Sequence, residues 1–337
     1  MKKILNSNIK NYAALILLAV LTVVFAVLSL CGALKTSTAY LLEEIAIKII
    51  LALSLSLVVG FLGELSLGHA GFMCVGAYLG GKTAALLVNP LGNGLLTLAV
   101  ALVVGGICAG LCGFLIGLPA LRLRGDYLAI TTLAFGEIVR TLFQNTSEQS
   151  FGGPIGLATP RFEKSFFYVI CFAMAAITLF VIQNLIRSKH GRAIKAIRDN
   201  EIAAKATGIN VTRYKLIGFV LSAVFAGIAG VLYSYTKFNV SSQTFDYNYS
   251  IEILVIVVLG GMGSINGSII SAVLITFLNR ELANVLTGNL AVLKDLIYAL
   301  ILIAIVIYTN APALKNFREK YSIEGFKKRR KEKEQNG

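Results

Sequence analysis

The residues able to do chemistry are few, and their spacing argues against catalysis. Gly76-Ala-Tyr-Leu-Gly-Gly-Lys-Thr83 satisfies the phosphate-loop pattern GxxxxGK[ST]. That loop works by wrapping backbone N–H groups around phosphates at a strand-to-helix turn, with a second-strand carboxylate for magnesium. Here the pattern lies inside an apolar stretch and no second-strand Asp follows, so it is not read as a nucleotide site. Cys31, Cys74, Cys108, Cys112 and Cys171 also sit in apolar stretches, with no CxxC pair and no His at ligand spacing. Cys108 and Cys112 share a helix face as two small apolar residues. No metal site and no cofactor are expected on this chain.

Among ionisable groups, His69 has the chemistry of a proton carrier, but a hydrogen-bonded structural histidine is the preferred reading. Glu137 and Arg140 stand three apart and can neutralise each other on one helix face. Glu43, Glu44 and Glu252 fall near predicted outer ends of apolar runs and are expected in water. No Ser-His-Asp set, HExxH motif or carboxylate pair in a credible pocket is present, so no catalytic residue is assigned.

The elements that must position these groups follow from composition. Of 337 residues, 56% are hydrophobic and 14% charged, with a mean hydropathy of +0.77. A soluble domain carries about 25% charged residues, so this is an integral membrane protein. A spanning helix needs about 20 apolar residues. Clear runs lie at 12–34, 95–118, 166–186, 214–235 and 292–309. Interrupted runs lie at about 41–62, 68–88, 126–143, 250–262 and 264–282. The expected architecture is therefore all-α, with about ten transmembrane helices, the first uncleaved and some of them broken.

Charge tests that count. Thirty-one Lys and Arg against seventeen Asp and Glu leave +14. With the N-terminus inside, ten spans place segments 119–125 and 187–213 and the C-terminal tail on one side, and these, with the N-terminus and the flanking Lys215 and Lys315, hold 22 of the 31 basic residues. Basic residues resist translocation, so both termini are expected in the cytoplasm. Residues 1–315 form the transmembrane domain and 316–337 a basic cytoplasmic tail, whose partner is read as membrane lipid rather than nucleic acid.

Two regions stand out. Glycines cluster at 60–81 and 260–267, and Gly-broken segments in two halves of a transporter mark a pathway. Ser66, Gly68, His69 and Gly71 in the first cluster, with Tyr78, and Gly260, Gly261 and Gly263 in the second are the candidate pathway residues. In the loop at about 187–213, Gly191-Arg-Ala-Ile-Lys-Ala-Ile-Arg198 reads as a short helix with Ile194 and Ile197 on one face and Arg192, Lys195 and Arg198 exposed. Asn200 caps a second helix over 201–207, ended by Gly208. Lys195–Asp199 and Glu201–Lys205 are candidate ion pairs at i,i+4. The apolar ridge predicts docking of a soluble partner. Ile197→Asp or Ala204→Asp is then expected to release that partner while leaving the membrane fold intact.

Five motifs in order resemble the branched-chain amino acid ABC transporter permeases, the LivM-type branch in particular. They are Ser66-Leu-Gly-His-Ala-Gly-Phe72 with Gly76-Ala-Tyr78, Leu121-Arg-Leu-Arg-Gly-Asp-Tyr127, Phe151-Gly-Gly-Pro-Ile-Gly156, Gly191 to Ala204 with Gly208, and Leu259-Gly-Gly-Met-Gly-Ser-Ile-Asn-Gly267. The resemblance runs from about residue 40 to 310 and implies a type II-like importer in the plasma membrane. It further implies a second permease subunit, two cytoplasmic ATP-binding subunits and an extracellular substrate-binding protein, with ATP hydrolysed on the partners. Gly191, Arg192, Ile194, Ile197, Arg198, Asn200, Ala203, Ala204 and Gly208 would then couple to the ATPases. The solute implied is Leu, Ile, Val or a related neutral amino acid. Gly71-Phe72-Met73-Cys74 departs from the family pattern and leaves urea or short amides as the alternative. A proton-coupled carrier using His69 or Glu137 is the reading from another class.

Overall fold

A computed structural model of the chain describes residues 22–24, 36–92, 94–123, 125–160, 162, 167–237, 239–285, 296–297, 299–300 and 303. Helix α1 (Thr36–Ser56) runs into a π-helical turn, Leu57–Leu62, and the two make one apolar rod of 27 residues, buried from Ile45 to Leu62. Residues 63–68 have no regular structure, and α2 (His69–Leu91) begins after them. Then come α3 (Leu95–Ala120), α4 (Asp126–Gln144) and the short α5 (Glu148–Phe151). The two-residue strand β1 (Leu157–Ala158) precedes α6 (Phe167–Arg187) and the short helical pair α7 (Lys189–Asp199) and α8 (Glu201–Ala206). Helix α9 (Val211–Thr236) leads to β2 (Asn239–Val240), antiparallel to β1, then a 3-10 turn over Ser242–Phe245. Helices α10 (Tyr247–Leu259) and α11 (Ile265–Val285) close the described part.

Six of these helices are long and apolar enough to cross a membrane: the α1 rod, α2, α3, α6, α9 and α11. Helix α10 is apolar but short, and α4 is not among the six. The expected runs 12–34 and 292–309 lie, but for a few residues, outside the described ones. Among the described residues, six helices are candidate spans by length and composition. The chain divides into two compact units, Met1–Phe277 and Leu278–Gly337, and the site belongs to the first. The tail at 316–337 lies outside the described residues.

Glycine explains how the central helices meet. Lipid offers no hydrophobic drive between helices, so association depends on close van der Waals approach through small residues. A Cβ on Gly76 of α2 would stand 2.1 Å from the Gly227 carbonyl oxygen of α9, and one on Gly227 would stand 2.4 Å from the Ala109 Cβ of α3. A Cβ on Gly105 of α3 would likewise meet Val231 of α9 at 2.3 Å. The phosphate-loop pattern thus has a structural origin. Gly76, Gly80 and Gly81 are contact points on a continuous helix, where backbone N–H groups are already committed.

Candidate functional site

The site is built where α7 and α8 meet the Leu57–Leu62 end of the α1 rod. Gly191 makes the fold-back possible: a Cβ there would collide with the Leu185 and Ile186 carbonyls at 2.3 Å. Ser188 caps α7, its Oγ accepting from Gly191 N at 3.3 Å. Asn200 caps α8 by accepting from Ala203 N at 2.9 Å. Gly208, with φ +84°, turns the chain out of α8 while Ile209 N donates back to the Ala204 carbonyl. Of these local rules, the Asn200 cap and the Gly208 turn were legible in the sequence.

What the helical pair faces was not. Ile194, Ile197 and Ala204 are only 1%, 3% and 4% exposed, packed inward onto the permease itself. The expectation that Ile197→Asp or Ala204→Asp leaves the membrane fold intact is therefore corrected, because either change would bury an unpaired carboxylate. The outward apolar residue is Ile202, 77% exposed, flanked on α8 by exposed Ala203 and Ala206. Arg192 and Lys205 are exposed around it.

Two polar ties fix the pair to the membrane helices. Arg198 Nη1 donates to the Gly60 carbonyl at 2.9 Å, inside the π turn. Its aliphatic stem lies on Gly63, where a Cβ would be 2.7 Å from Arg198 Cγ and where φ is +79°. Gly63 thus needs glycine twice, for the left-handed backbone and for the room. Gly60 in turn touches the second glycine cluster: its Cβ would stand 2.5 Å from Gly263 N. Lys195 Nζ lies 5.8 Å from the centre of the Phe61 ring. The second tie is Lys215 at the start of α9, whose Nζ meets Glu64 Oε1 at 2.5 Å and Glu201 Oε2 at 3.2 Å. A polar cavity of about 280 Å³ lies among Leu62, Gly63, Glu64, Arg198, Glu201 and Lys215. The charges differ from the i,i+4 expectation: Asp199 pairs with Arg198, and Glu201 reaches Lys215.

The unwound segment 63–68 follows the rod directly. His69 Nε2 and Ser54 Oγ are 2.7 Å apart and both are buried. Thr132 Oγ1 accepts from Leu67 N at 3.0 Å, and Ser250 Oγ accepts from Ala70 N at 3.0 Å. Gly68 and Gly71 lie against the backbone of Thr132 and Gly136 in α4. Ser66 is buried, and so is Tyr78, which donates to the Val240 carbonyl at 3.0 Å and stacks on Phe143 at 4.3 Å. Gly260 packs on Gly267, and Gly261 and Gly263 have φ +86° and +83°. The structure thus joins the two glycine clusters at Gly60 and Gly263, while His69 and Tyr78 stand apart from that junction.

The expectation that Glu43, Glu44 and Glu252 lie in water is corrected for two of the three: Glu44 is exposed, but Glu43 is buried and Glu252 pairs with Lys48 at 2.6 Å, a lysine that sequence reasoning missed. The reason is that α1 is enclosed by the rest of the permease from Ile45 onward and Leu42 and Glu43 are already buried before it. A lone lysine in an apolar rod was the available signal, since such a cation requires an anion. Glu137 and Arg140 do pair, at 2.8 Å. Among the described residues, no group of three or more His, Cys, Asp or Glu is placed to hold a metal.

Comparison with known proteins accords with this geometry. Residues 37–306 match the family described as branched-chain amino acid transport system, permease component. The chain is 38% identical over 308 residues to the high-affinity branched-chain amino acid transport system permease protein LivM of Escherichia coli strain K12, covering 82% of this chain and 69% of that protein. It is 41% identical over 268 residues to the LivM of Salmonella typhimurium strain LT2, covering 70% of this chain and 61% of the relative. The ribose import permease protein RbsC of Escherichia coli strain K12 is 26% identical over 292 residues, covering 80% and 84%. No solved structure matches the chain. With most of its length inside the matched region, the chain belongs to the branched-chain amino acid transport permease component family.

Proposed function

We propose that this chain is the membrane-spanning permease subunit of an ATP-driven importer for branched-chain amino acids, Leu, Ile or Val. It would work in the plasma membrane with a second permease, two cytoplasmic ATP-binding subunits and an extracellular substrate-binding protein. Ten spans with both termini inside is the topology that the basic loops favour. The family and the LivM relatives support the solute class. The observation that carries the coupling is the helical pair α7–α8, held to the π turn by Arg198 and to Glu64 by Lys215.

The mechanism follows from those ties. An ATPase dimer closing beneath the membrane moves α7 and α8 through their outward face, Arg192, Ile202, Ala203 and Lys205. Arg198 carries that displacement to the Gly60 carbonyl, and Gly60 is in backbone contact with Gly263. A π turn yields there more readily than a regular helix because its hydrogen-bond ladder is already out of register. Both Gly-rich segments thus shift together, and the unwound stretch 63–68 is the part free to change shape. Gly191, Ile194, Ile197, Asn200, Ala204 and Gly208 keep the pair rigid enough to transmit the stroke. Affinity for the solute resides mainly in the binding protein.

The test is uptake of labelled leucine by vesicles containing the complete assembly. Accumulation should require ATP inside the ATPase compartment and ignore an uncoupler. Uptake that survives ATP depletion but collapses with an uncoupler would contradict the proposal.

A further inference from the structure

A charged pair stands at the middle of the buried rod, away from the coupling elements. Lys48 is the thirteenth residue of the 27-residue span Thr36–Leu62. Its Nζ meets Glu252 Oε2 of α10 at 2.6 Å and lies 4.1 Å from the centre of the Tyr249 ring. The Lys48 side chain is 4% exposed and that of Glu252 18%. Replacing a buried ion pair by apolar residues of like size is commonly neutral or stabilising, so helix packing alone gives no reason to keep two charges at this depth. Ionisable groups inside a membrane mark solute or ion pathways by default.

The partial exposure of Glu252 says where the pair opens. A carboxylate at mid-depth does not face hydrocarbon, so its open side faces protein or water. Helix α10 has 13 residues and spans about 20 Å at about 1.5 Å per residue, short of a bilayer. It follows a break in the helical structure, the strand β2 and the 3-10 turn over Ser242–Phe245, and its Ser250 accepts from Ala70 N beside the unwound segment 63–68. Two broken elements therefore meet within one turn of Glu252, the arrangement in which transporters place solute at the midplane.

We infer that Lys48 and Glu252 form a transient binding site for the zwitterionic backbone of an α-amino acid, Lys48 taking the carboxylate and Glu252 the ammonium. This rests on the proposed amino-acid importer. The charges match one to one. In the empty protein the pair satisfies itself, and with solute between them one ion pair becomes two. No bare charge stands in the low-dielectric interior in either state. Tyr249 holds Lys48 from the side through its ring face while the carboxylate exchanges. An uncharged solute such as urea or a sugar gains nothing from this exchange, so the site selects for zwitterions.

The experiment compares leucine uptake by the reconstituted complete importer with Lys48→Met/Glu252→Gln, a pair of changes that removes both charges and leaves none unpaired. The double variant is expected to assemble, melt and hydrolyse ATP at the basal rate as the unaltered protein does, yet to lose uptake at least tenfold. Uptake at the unaltered rate would overturn the inference and make the pair a structural tie; failure of the double variant to assemble would do the same unless Glu252→Gln alone assembles and loses uptake. Absence of leucine uptake by the unaltered importer would instead strike the proposed function.

Discussion

Lys215 shows how much rests on single side chains at the junction. It is buried, and it is the shared cation of Glu64 from the unwound segment and Glu201 from α8. Removing one partner of a buried charge set typically costs about 3 kcal/mol or more, because the others are left uncompensated. Lys215→Met should lower the stability of the detergent-purified permease by about 3 kcal/mol. Adding Glu64→Gln and Glu201→Gln should recover most of that loss. Thermal unfolding of the single and triple variants checks both statements, and an unchanged melting point for Lys215→Met would refute them. Neither Lys215 nor the Lys48–Glu252 pair was identified from sequence, since their partners lie 151 and 204 positions away. Local spacing carries no information about such contacts. Glu137–Arg140, three residues apart, was legible for the opposite reason.

At the scale of elements, the start and stop of α8 depend on neighbours within a few residues, so Asn200 and Gly208 were readable as cap and terminator. Asn200→Ala should cost about 1 kcal/mol by leaving Ala203 N without its acceptor. Gly208 has open space around its Cβ position, so its demand is purely conformational at φ +84°. Gly208→Asn should therefore be tolerated better than Gly208→Val, the ranking being read from the melting temperatures of the two variants. Helix contacts impose the stronger limit. Gly227→Val on α9 would drive a branched side chain into Ala109 and the Gly105 carbonyl, and folded permease should be lost from the membrane fraction. The π turn at Leu57–Leu62 was not foreseen. It accompanies the Arg198 hydrogen bond and the Gly263 contact, both distant in sequence. Periodicity likewise located the face bearing Ile194 and Ile197, but a period does not say whether a face meets solvent or the rest of the chain.

For the whole molecule, composition and charge placed the chain in a membrane, and the described residues include six helices long and apolar enough to cross it. The central claim is that α7–α8 receives ATPase motion from below and passes it to Gly60 and Gly263. Lys205→Cys should react with a membrane-impermeant maleimide in inside-out vesicles stripped of the ATP-binding subunits, beyond the labelling of the unaltered chain, and not in intact cells; the reverse pattern would refute the proposed orientation. The most direct measurement uses Ile202, because it is 77% exposed and its loss disturbs no buried contact. The claim predicts that Ile202→Asp leaves the melting temperature of the isolated permease unchanged. It also predicts that the variant fails to co-purify with the ATP-binding subunits and loses ATP-driven leucine uptake. Full co-purification and unaltered uptake by Ile202→Asp would contradict it.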